Sequence, residues 1–179
     1  MKKDIKLYNM ILPPYMLMTF VPAIAIFSIV GNFVIDSLVL LIISFIIFKK
    51  INKDFYIKRI LKVWSLGFAG DFVGVLYLFI GSEIGYNYIN SNIYTPNDLT
   101  YSIMDSLNNV TNHPDSVSFY SICFLASAIF ISSIAIFLFD YFIAFRKSEM
   151  TKTQKLLSSL AFAVFTAPYT FLLPNSLFY

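Results

Sequence analysis

The sequence predicts an all-α integral membrane protein, a single domain over 1–179 built as a bundle of five transmembrane helices. Hydrophobic residues make up 58% of the chain and charged residues only 13%, whereas soluble domains contain about 25% charged residues. The apolar residues are gathered in blocks close to the length of about 20 residues that a helix needs to cross a bilayer. The predicted spans are about 11–30, 33–48, 63–81, 118–141 and 156–173.

The first two spans come from one apolar block, 11–48, which Gly31 and Asn32 interrupt. A single helix over this block would be about 57 Å long, nearly twice the hydrocarbon thickness of a bilayer. We therefore predict a helical hairpin that turns at Gly31 and Asn32. The alternative is one span over this block together with an interfacial piece.

The basic residues predict the orientation of the chain. All thirteen lie before the first span, between the second and third spans, or between the fourth and fifth. Five spans place these three segments on one side of the membrane, which the positive-inside rule makes the cytoplasmic side. We therefore expect a cytoplasmic N-terminus, an external C-terminus and an external loop over 82–117. The one-span alternative for 11–48 would leave Lys2, Lys3 and Lys6 outside.

The connection between the second and third spans is basic. Residues 49–64 include six basic residues and one acid. Wound as a helix from Phe55, this segment places apolar residues on one face and Lys58, Arg59 and Lys62 on the other. This pattern predicts a short interfacial helix that contacts anionic lipid headgroups near 49–62. An ordinary loop that only sets the topology would have the same composition.

The external loop contains the sequence TPNDLTYSIMDSLNNV, which starts at Thr95. Thr95 fits the N-cap position, Pro96 the first helical position and Asp98 the first turn. The apolar residues that follow share one stripe. We predict a short amphipathic helix over about 96–109 that packs across the outer ends of the spans.

The third span holds an aspartate among glycines, in the sequence GFAGDFVG at 67–74. At 100° per residue, Asp71 shares one helical stripe with four glycines. Such a stripe lets a second helix approach closely, so these residues are the primary candidates for a packing or functional site. The members of this glycine stripe are Gly67, Gly70, Asp71, Gly74 and Gly81.

The expected partner of the glycine stripe is the fifth span, which has a face of small and hydroxyl-bearing residues. Interhelical hydrogen bonds and close van der Waals contact would stabilise that pairing. This face makes three hydroxyl residues secondary candidates for the site. The face consists of Ser159, Ala163, Thr166 and Thr170.

Asp71 has no lysine, arginine or histidine within any predicted span to pair with it. It is therefore expected to be protonated, or to meet polar groups, water, a cation or a partner's base. Asp36, near the outer end of the second span, and Asp140, near the cytoplasmic end of the fourth, are secondary candidates. Three carboxylates at three depths would suit a proton or cation route. We expect Asp36 and Asp140, however, to be hydrated residues at helix ends.

Little in the chain indicates catalysis. One cysteine and one histidine exclude a cysteine–histidine zinc site, and no residue pattern predicts a metal or another cofactor. The segment FAGD at 68–71 resembles the glycine-x-glycine-aspartate motif of intramembrane aspartyl proteases, but Phe68 replaces the first glycine. The second acid, Asp140, would lie about 8–10 Å nearer the cytoplasm, whereas two catalytic carboxylates must share a proton. We therefore predict that the protein is not an enzyme.

The sequence leaves two functions open. The first is a non-catalytic multi-pass subunit of a larger membrane assembly, such as a secretion, DNA-transfer or transport complex, held by a protein partner or as a homo-oligomer. The alternative is a small self-contained or oligomeric transporter or channel, coupled to protons or cations, that uses Asp71. A net charge of +3 does not indicate direct nucleic-acid binding. Richness in Ile, Phe, Asn, Lys and Tyr favours a bacterial cytoplasmic membrane as the location.

Overall fold

The computed structural model of the chain describes residues 22–91, 98–112 and 118–172, with side chains described for 29–91, 98–110 and 118–172. Regular structure in these ranges is helical throughout. A π-helical turn extends the fourth helix, and a 3-10 turn follows the fifth. The elements are α1 (Pro22–Phe48), α2 (Lys53–Ser91), α3 (Leu99–Asn112), α4 (Phe119–Phe139), the π turn (Asp140–Ala144), α5 (Lys152–Phe165) and the 3-10 turn (Tyr169–Leu172).

Four segments of the described residues are long and apolar enough to cross a membrane. Only 22–33% of the most apolar window of each segment is buried inside the protein. The exposed remainder is far more apolar surface than a soluble monomer presents, and a bilayer is the solvent that suits it. The fold is therefore that of a helical membrane protein. The four segments are Ile29–Phe48, Lys53–Ser91, Phe119–Ala144 and Lys152–Leu172.

The hairpin predicted at Gly31 and Asn32 is not formed, because α1 runs through both residues without a break. Glycine costs a helix interior only about 1 kcal/mol relative to alanine, and the apolar residues on either side favour one continuous helix in a bilayer. The separation of 11–30 from 33–48 is therefore wrong. Residues 11–21 of that predicted first span lie outside the described residues.

The turn between α1 and α2 is short and well defined. Lys49 ends α1 with φ of 57°, the left-handed conformation that commonly terminates helices. The Asn52 side chain then caps α2, because its amide oxygen accepts the N–H of Phe55 at 3.1 Å. The backbone N–H of Asn52 donates to the Ser44 hydroxyl at 3.0 Å, which ties the turn back to α1.

Helix α2 is 39 residues long, or about 58 Å at 1.5 Å per residue. It joins three predicted pieces in one helix: the interfacial segment from Phe55, the third span over 63–81, and the start of the loop predicted over 82–117. Glycines at 81 and 85 do not stop it. A helix of this length exceeds a hydrocarbon core of about 30 Å, so it is longer than one membrane span requires.

Helix α3 overlaps the helix predicted over 96–109 but begins later, at Leu99. The Asp98 carboxylate accepts the N–H of Thr100 at 2.8 Å and so caps its first turn. Where α3 crosses α2, a Cβ on Gly85 would come within 2.5 Å of the Met104 carbonyl oxygen. The hydroxyls of Ser106 and Ser118 are 2.6 Å apart and link α3 to the start of α4.

Arg59 lies inside the protein, although its pattern had placed it on a face toward lipid headgroups. Its side chain is 7% exposed, and its guanidinium donates to the Ala144 carbonyl at 2.7 Å and to the Lys147 carbonyl. Carbonyls at the end of a helix have no N–H partner within that helix. The buried arginine donates the missing hydrogen bonds. Arg59 thus joins α2 to the chain that leaves α4.

Candidate functional site

The glycine stripe of α2 packs mainly on α4. A Cβ on Gly70 would overlap the Ile136 side chain and lie 3.1 Å from its backbone nitrogen, while one on Gly74 would overlap the Ser132 hydroxyl. A Cβ on Gly81 would overlap the Phe124 ring. The predicted fifth span meets the stripe only in part, because a Cβ on Gly74 would also lie 3.0 Å from the Phe171 ring.

Small residues on α4 explain the pairing. Ala128 and Ser132 lie one helical turn apart and are fully buried. The Ser132 hydroxyl donates to the Gly70 carbonyl at 3.1 Å, a contact that only close backbones permit. The i, i+4 spacing of Ala128 and Ser132 is visible in the sequence, although the fifth span carries a comparable small-residue face.

Gly67 differs from the other glycines of the stripe because it faces α1. A Cβ placed on Gly67 would lie 3.6 Å from the Oδ2 atom of Asp36, an ordinary van der Waals contact. The missing side chain at Gly67 therefore leaves room for the Asp36 carboxyl group. Gly67 itself lies four residues, about one helical turn, before Asp71 on α2.

A cavity of about 180 Å³ lies between α1, α2 and the chain that follows α5. Asp36 lines it from α1 and Asp71 from α2, together with Thr166 and Thr170 from beyond α5. Ser159, the remaining hydroxyl candidate, is not part of this lining; it is fully buried elsewhere in α5. We call this space the acid cavity. Its full lining is Asn32, Ile35, Asp36, Trp64, Gly67, Phe68, Asp71 and 165–170.

The residues after α5 line the acid cavity because helix α5 ends early. Helix α5 stops at Phe165, three residues before Pro168, although the fifth span was predicted over 156–173. The residues just before a proline avoid helical backbone angles. The Thr166 backbone N–H and hydroxyl both donate to the Phe162 carbonyl, at 2.9 Å and 2.8 Å, and close the last turn.

The two carboxyl groups of the acid cavity differ in exposure. Asp36 is only 3% exposed, whereas Asp71 is half-buried, and the two are close enough for their charges to repel. The Oδ1 atom of Asp71 is buried and has no hydrogen-bond partner among the described residues. Among the described residues that line the cavity there is no lysine or arginine. The charge of an ionised carboxylate there would thus lack a protein partner in the lining.

Asp140 is a third buried acid next to this pair. It is 1% exposed, and it also lies within electrostatic range of Asp36. It begins the π turn, in which the N–H of Phe145 donates to the Asp140 carbonyl at 2.8 Å; such turns are frequent at functional sites. Within the described residues, neither of its side-chain oxygens has a hydrogen-bond partner.

Two expectations for these acids are therefore wrong. Asp36 lies near the middle of α1 rather than near an outer end, because the hairpin is not formed. Neither Asp36 nor Asp140 is a hydrated residue at a helix end, since both are buried. Asp71 and Asp140 each lie within electrostatic range of Asp36.

The aromatic side of the acid cavity was missed at the sequence level. Trp64 lines it from α2, and edge-to-face contacts hold its ring, with centroids 5.9 Å from Phe33 and 5.4 Å from Phe68. Trp64 lies four residues before Phe68 and seven before Asp71. That helical spacing is the signal that puts the aromatic residues and the acid on one side of α2.

The carboxyl groups of the acid cavity are suited to bind a positively charged species. An unpaired carboxylate away from water is costly, so the group is stabilised by binding a proton or by meeting a cation. In the part of the chain that the structure describes, no group of three or more His, Cys, Asp or Glu side chains is arranged to hold a metal ion.

No protein-family model, curated protein or solved structure matches this chain.

Proposed function

We propose that this protein moves a cationic species across a membrane, alone or as an oligomer, and that the acid cavity is its binding site. The observation that carries the proposal is the convergence of Asp36 and Asp71, from two membrane-length helices, on one cavity without a lysine or arginine in its lining. Intramembrane acids in such positions mark ion and substrate pathways. Asp71 and Asp36 would neutralise the charge of the bound species.

The proposed location is a bacterial cytoplasmic membrane, with both basic connections on the cytoplasmic side. The positive-inside rule favours this orientation. The hydrogen bond from Arg59 to the Lys147 carbonyl supports it, because it brings the start of α2 next to the connection that follows the π turn. Helix α3 would then lie outside, and exposed lysines near 49–62 would meet anionic headgroups.

Cation flux into liposomes tests the proposed function. Purified protein is reconstituted, and uptake of protons, sodium, potassium and organic ammonium ions is measured for the wild type and for Asp71→Asn. We expect wild-type flux of at least one of these species and its loss in the variant. The matched control is Asp54→Asn, an exposed acid on the same helix, which should keep wild-type flux. Equal flux in wild type and Asp71→Asn would contradict the proposal.

A second candidate is the non-catalytic subunit of a larger membrane assembly, or a homo-oligomer. The observation that favours it is Gly31 on α1, because nothing among the described residues lies within 4 Å of a Cβ built there. Its neighbour Val30 is 54% exposed. A small residue on an open apolar face suits close contact with another membrane helix. The mass of the particle purified from native membranes tests this candidate, and a monomer without a partner would contradict it.

A further inference from the structure

We infer that the ligand of the acid cavity is a small organic ammonium ion, an amine with a short apolar body, and not a bare metal ion or a proton alone. This identification of the ligand class rests on the function proposed above. It follows from the charge, the size and the aromatic lining of the cavity, each of which is an independent observation.

The charge of the ligand follows from the carboxyl groups. Asp36 is only 3% exposed and lines the cavity. The buried Oδ1 of Asp71 has no hydrogen-bond partner among the described residues. Carboxyl oxygens from two neighbouring helices suit the N–H donors of an ammonium group, since charge-assisted hydrogen bonds are the strong ones.

The size of the ligand follows from the volume. A single water needs only about 10–15 Å³, whereas an engineered cavity of about 150 Å³ binds benzene. The acid cavity, at about 180 Å³, therefore accepts a molecule somewhat larger than benzene. A dehydrated metal ion would fill a small part of it and would contact few ligands. Calcium, for example, takes about 6–8 oxygen ligands at close range.

The aromatic lining favours an organic cation. Trp64, Phe68, Phe165 and Tyr169 all line the cavity. Aromatic faces attract ammonium groups through the ring quadrupole, most strongly when water is excluded, and they also accept an apolar body. A metal ion gains little from four aromatic rings. An ammonium ion with a carbon body uses both the rings and the carboxylates.

Polar groups at the edge of the cavity can complete the recognition. The Thr166 hydroxyl donates its hydrogen bond to the Phe162 carbonyl at 2.8 Å, so its oxygen can accept a hydrogen bond from an N–H group. The side-chain amide of Asn32 enters the lining from α1. Asn32 lies within α1 and Thr166 caps the end of α5, so the ammonium group can be held between acids and neutral acceptors.

Trp64 provides a direct test because it is the only tryptophan of the chain and lines the cavity. The full chain in nanodiscs, in an amine-free phosphate buffer of constant ionic strength, is titrated with benzylammonium and with tetramethylammonium. Sodium chloride and the neutral analogue benzyl alcohol are titrated in parallel. We expect a saturable change of Trp64 fluorescence with the two ammonium ions and none with the sodium salt or the alcohol.

The variants make the test specific. Asp71→Asn should weaken ammonium binding by about thirtyfold or more, the scale on which losing one member of a buried charge pair acts. Asp54→Asn, exposed on the same helix, should bind as the wild type does. A control for folding is the emission of Trp64 before titration, which should be equal in all three proteins.

Two results would overturn the ligand class and leave the transport function standing. One is a saturable response to sodium alone, and the other is Asp71-dependent flux of protons or metal ions in liposomes with no response to ammonium ions. Ammonium binding that is unchanged in Asp71→Asn would overturn the ligand class at this site. Absence of both the fluorescence response and any Asp71-dependent flux would overturn the transport function as well.

Discussion

Asp36 of α1 and Asp71 of α2 line the same cavity from facing helices, close enough for their charges to repel. Each lies in a helix long and apolar enough to cross a membrane. Gly67 lies beside this pair, because a Cβ built there would be 3.6 Å from the Asp36 Oδ2 atom, an ordinary van der Waals contact. Its surroundings therefore differ from those of Gly70 and Gly74, which pack tightly against α4.

Filling the acid cavity should abolish flux without harming the fold. Gly67→Leu places a branched side chain into the cavity beside Asp36, where even a Cβ makes only an ordinary contact. We expect loss of flux in liposomes, with a thermal midpoint in detergent close to that of the wild type. Gly67→Ala is the control, because its single methyl group leaves most of the volume open. Full flux in Gly67→Leu would contradict a pathway through the cavity.

Gly70 should not tolerate a side chain, because α4 lies directly against it. In Gly70→Val the new side chain meets Ile136, including its backbone nitrogen at 3.1 Å from the Cβ position. Overpacking of this kind costs about 1–3 kcal/mol. Gly31→Val is the matched control, since it makes the same change in a helix at an open position. Thermal unfolding in detergent should show a lower midpoint for Gly70→Val only. Equal midpoints for the two variants would argue against the close contact of α2 and α4.

Gly74 and Ser132 should be energetically coupled. In Gly74→Ala the new methyl group overlaps the Ser132 hydroxyl and lies 3.0 Å from the Phe171 ring. Ser132→Ala removes that hydroxyl, so Gly74→Ala should cost less stability in the Ser132→Ala background than in the wild type. A double-mutant cycle should give a coupling of about 0.5–3 kcal/mol. Strict additivity of the two changes would mean that the two residues are not in contact.

Arg59 should stabilise the chain that leaves α4. Arg59→Leu leaves the Ala144 and Lys147 carbonyls without their donor, and each buried unsatisfied group costs about 1–3 kcal/mol. We expect a lower thermal midpoint and faster proteolysis between α4 and α5. Lys58→Leu, at an exposed neighbouring position, provides the control and should resemble the wild type. An unchanged cleavage rate in Arg59→Leu would show that the two hydrogen bonds do not hold the connection.

The class of the protein and much of α2 could be predicted from the sequence, because both depend on local composition. The span predicted over 63–81 lies within α2, and Asp71 shares its stripe with glycines that pack against another helix. Hydrophobicity and a period of 3.6 residues determine these features. They require no knowledge of which helices are neighbours.

The partners of α2 could not be assigned in the same way. Several spans carry small or hydroxyl-bearing residues, and only the packing of the whole bundle selects Ser132 of α4 over the face around Ser159 of α5. The continuity of α1 is likewise a global property, since Gly31 is tolerated within a long apolar helix. Because α1 is one continuous helix, Asp36 lies near its middle and lines the cavity. The acid pair therefore follows from tertiary structure.

The most direct test of the acid cavity is labelling of its carboxyl groups with a hydrophobic carbodiimide, which enters from the lipid phase and reacts with protonated carboxyls. Mass spectrometry of protein labelled in membranes at mildly acid pH should locate the label on Asp71 or Asp36, and tetramethylammonium should protect both. Asp54, which is exposed at the start of α2, should show no such protection. Label confined to exposed acids, or label on Asp71 that no cation reduces, would contradict a cation site between α1 and α2.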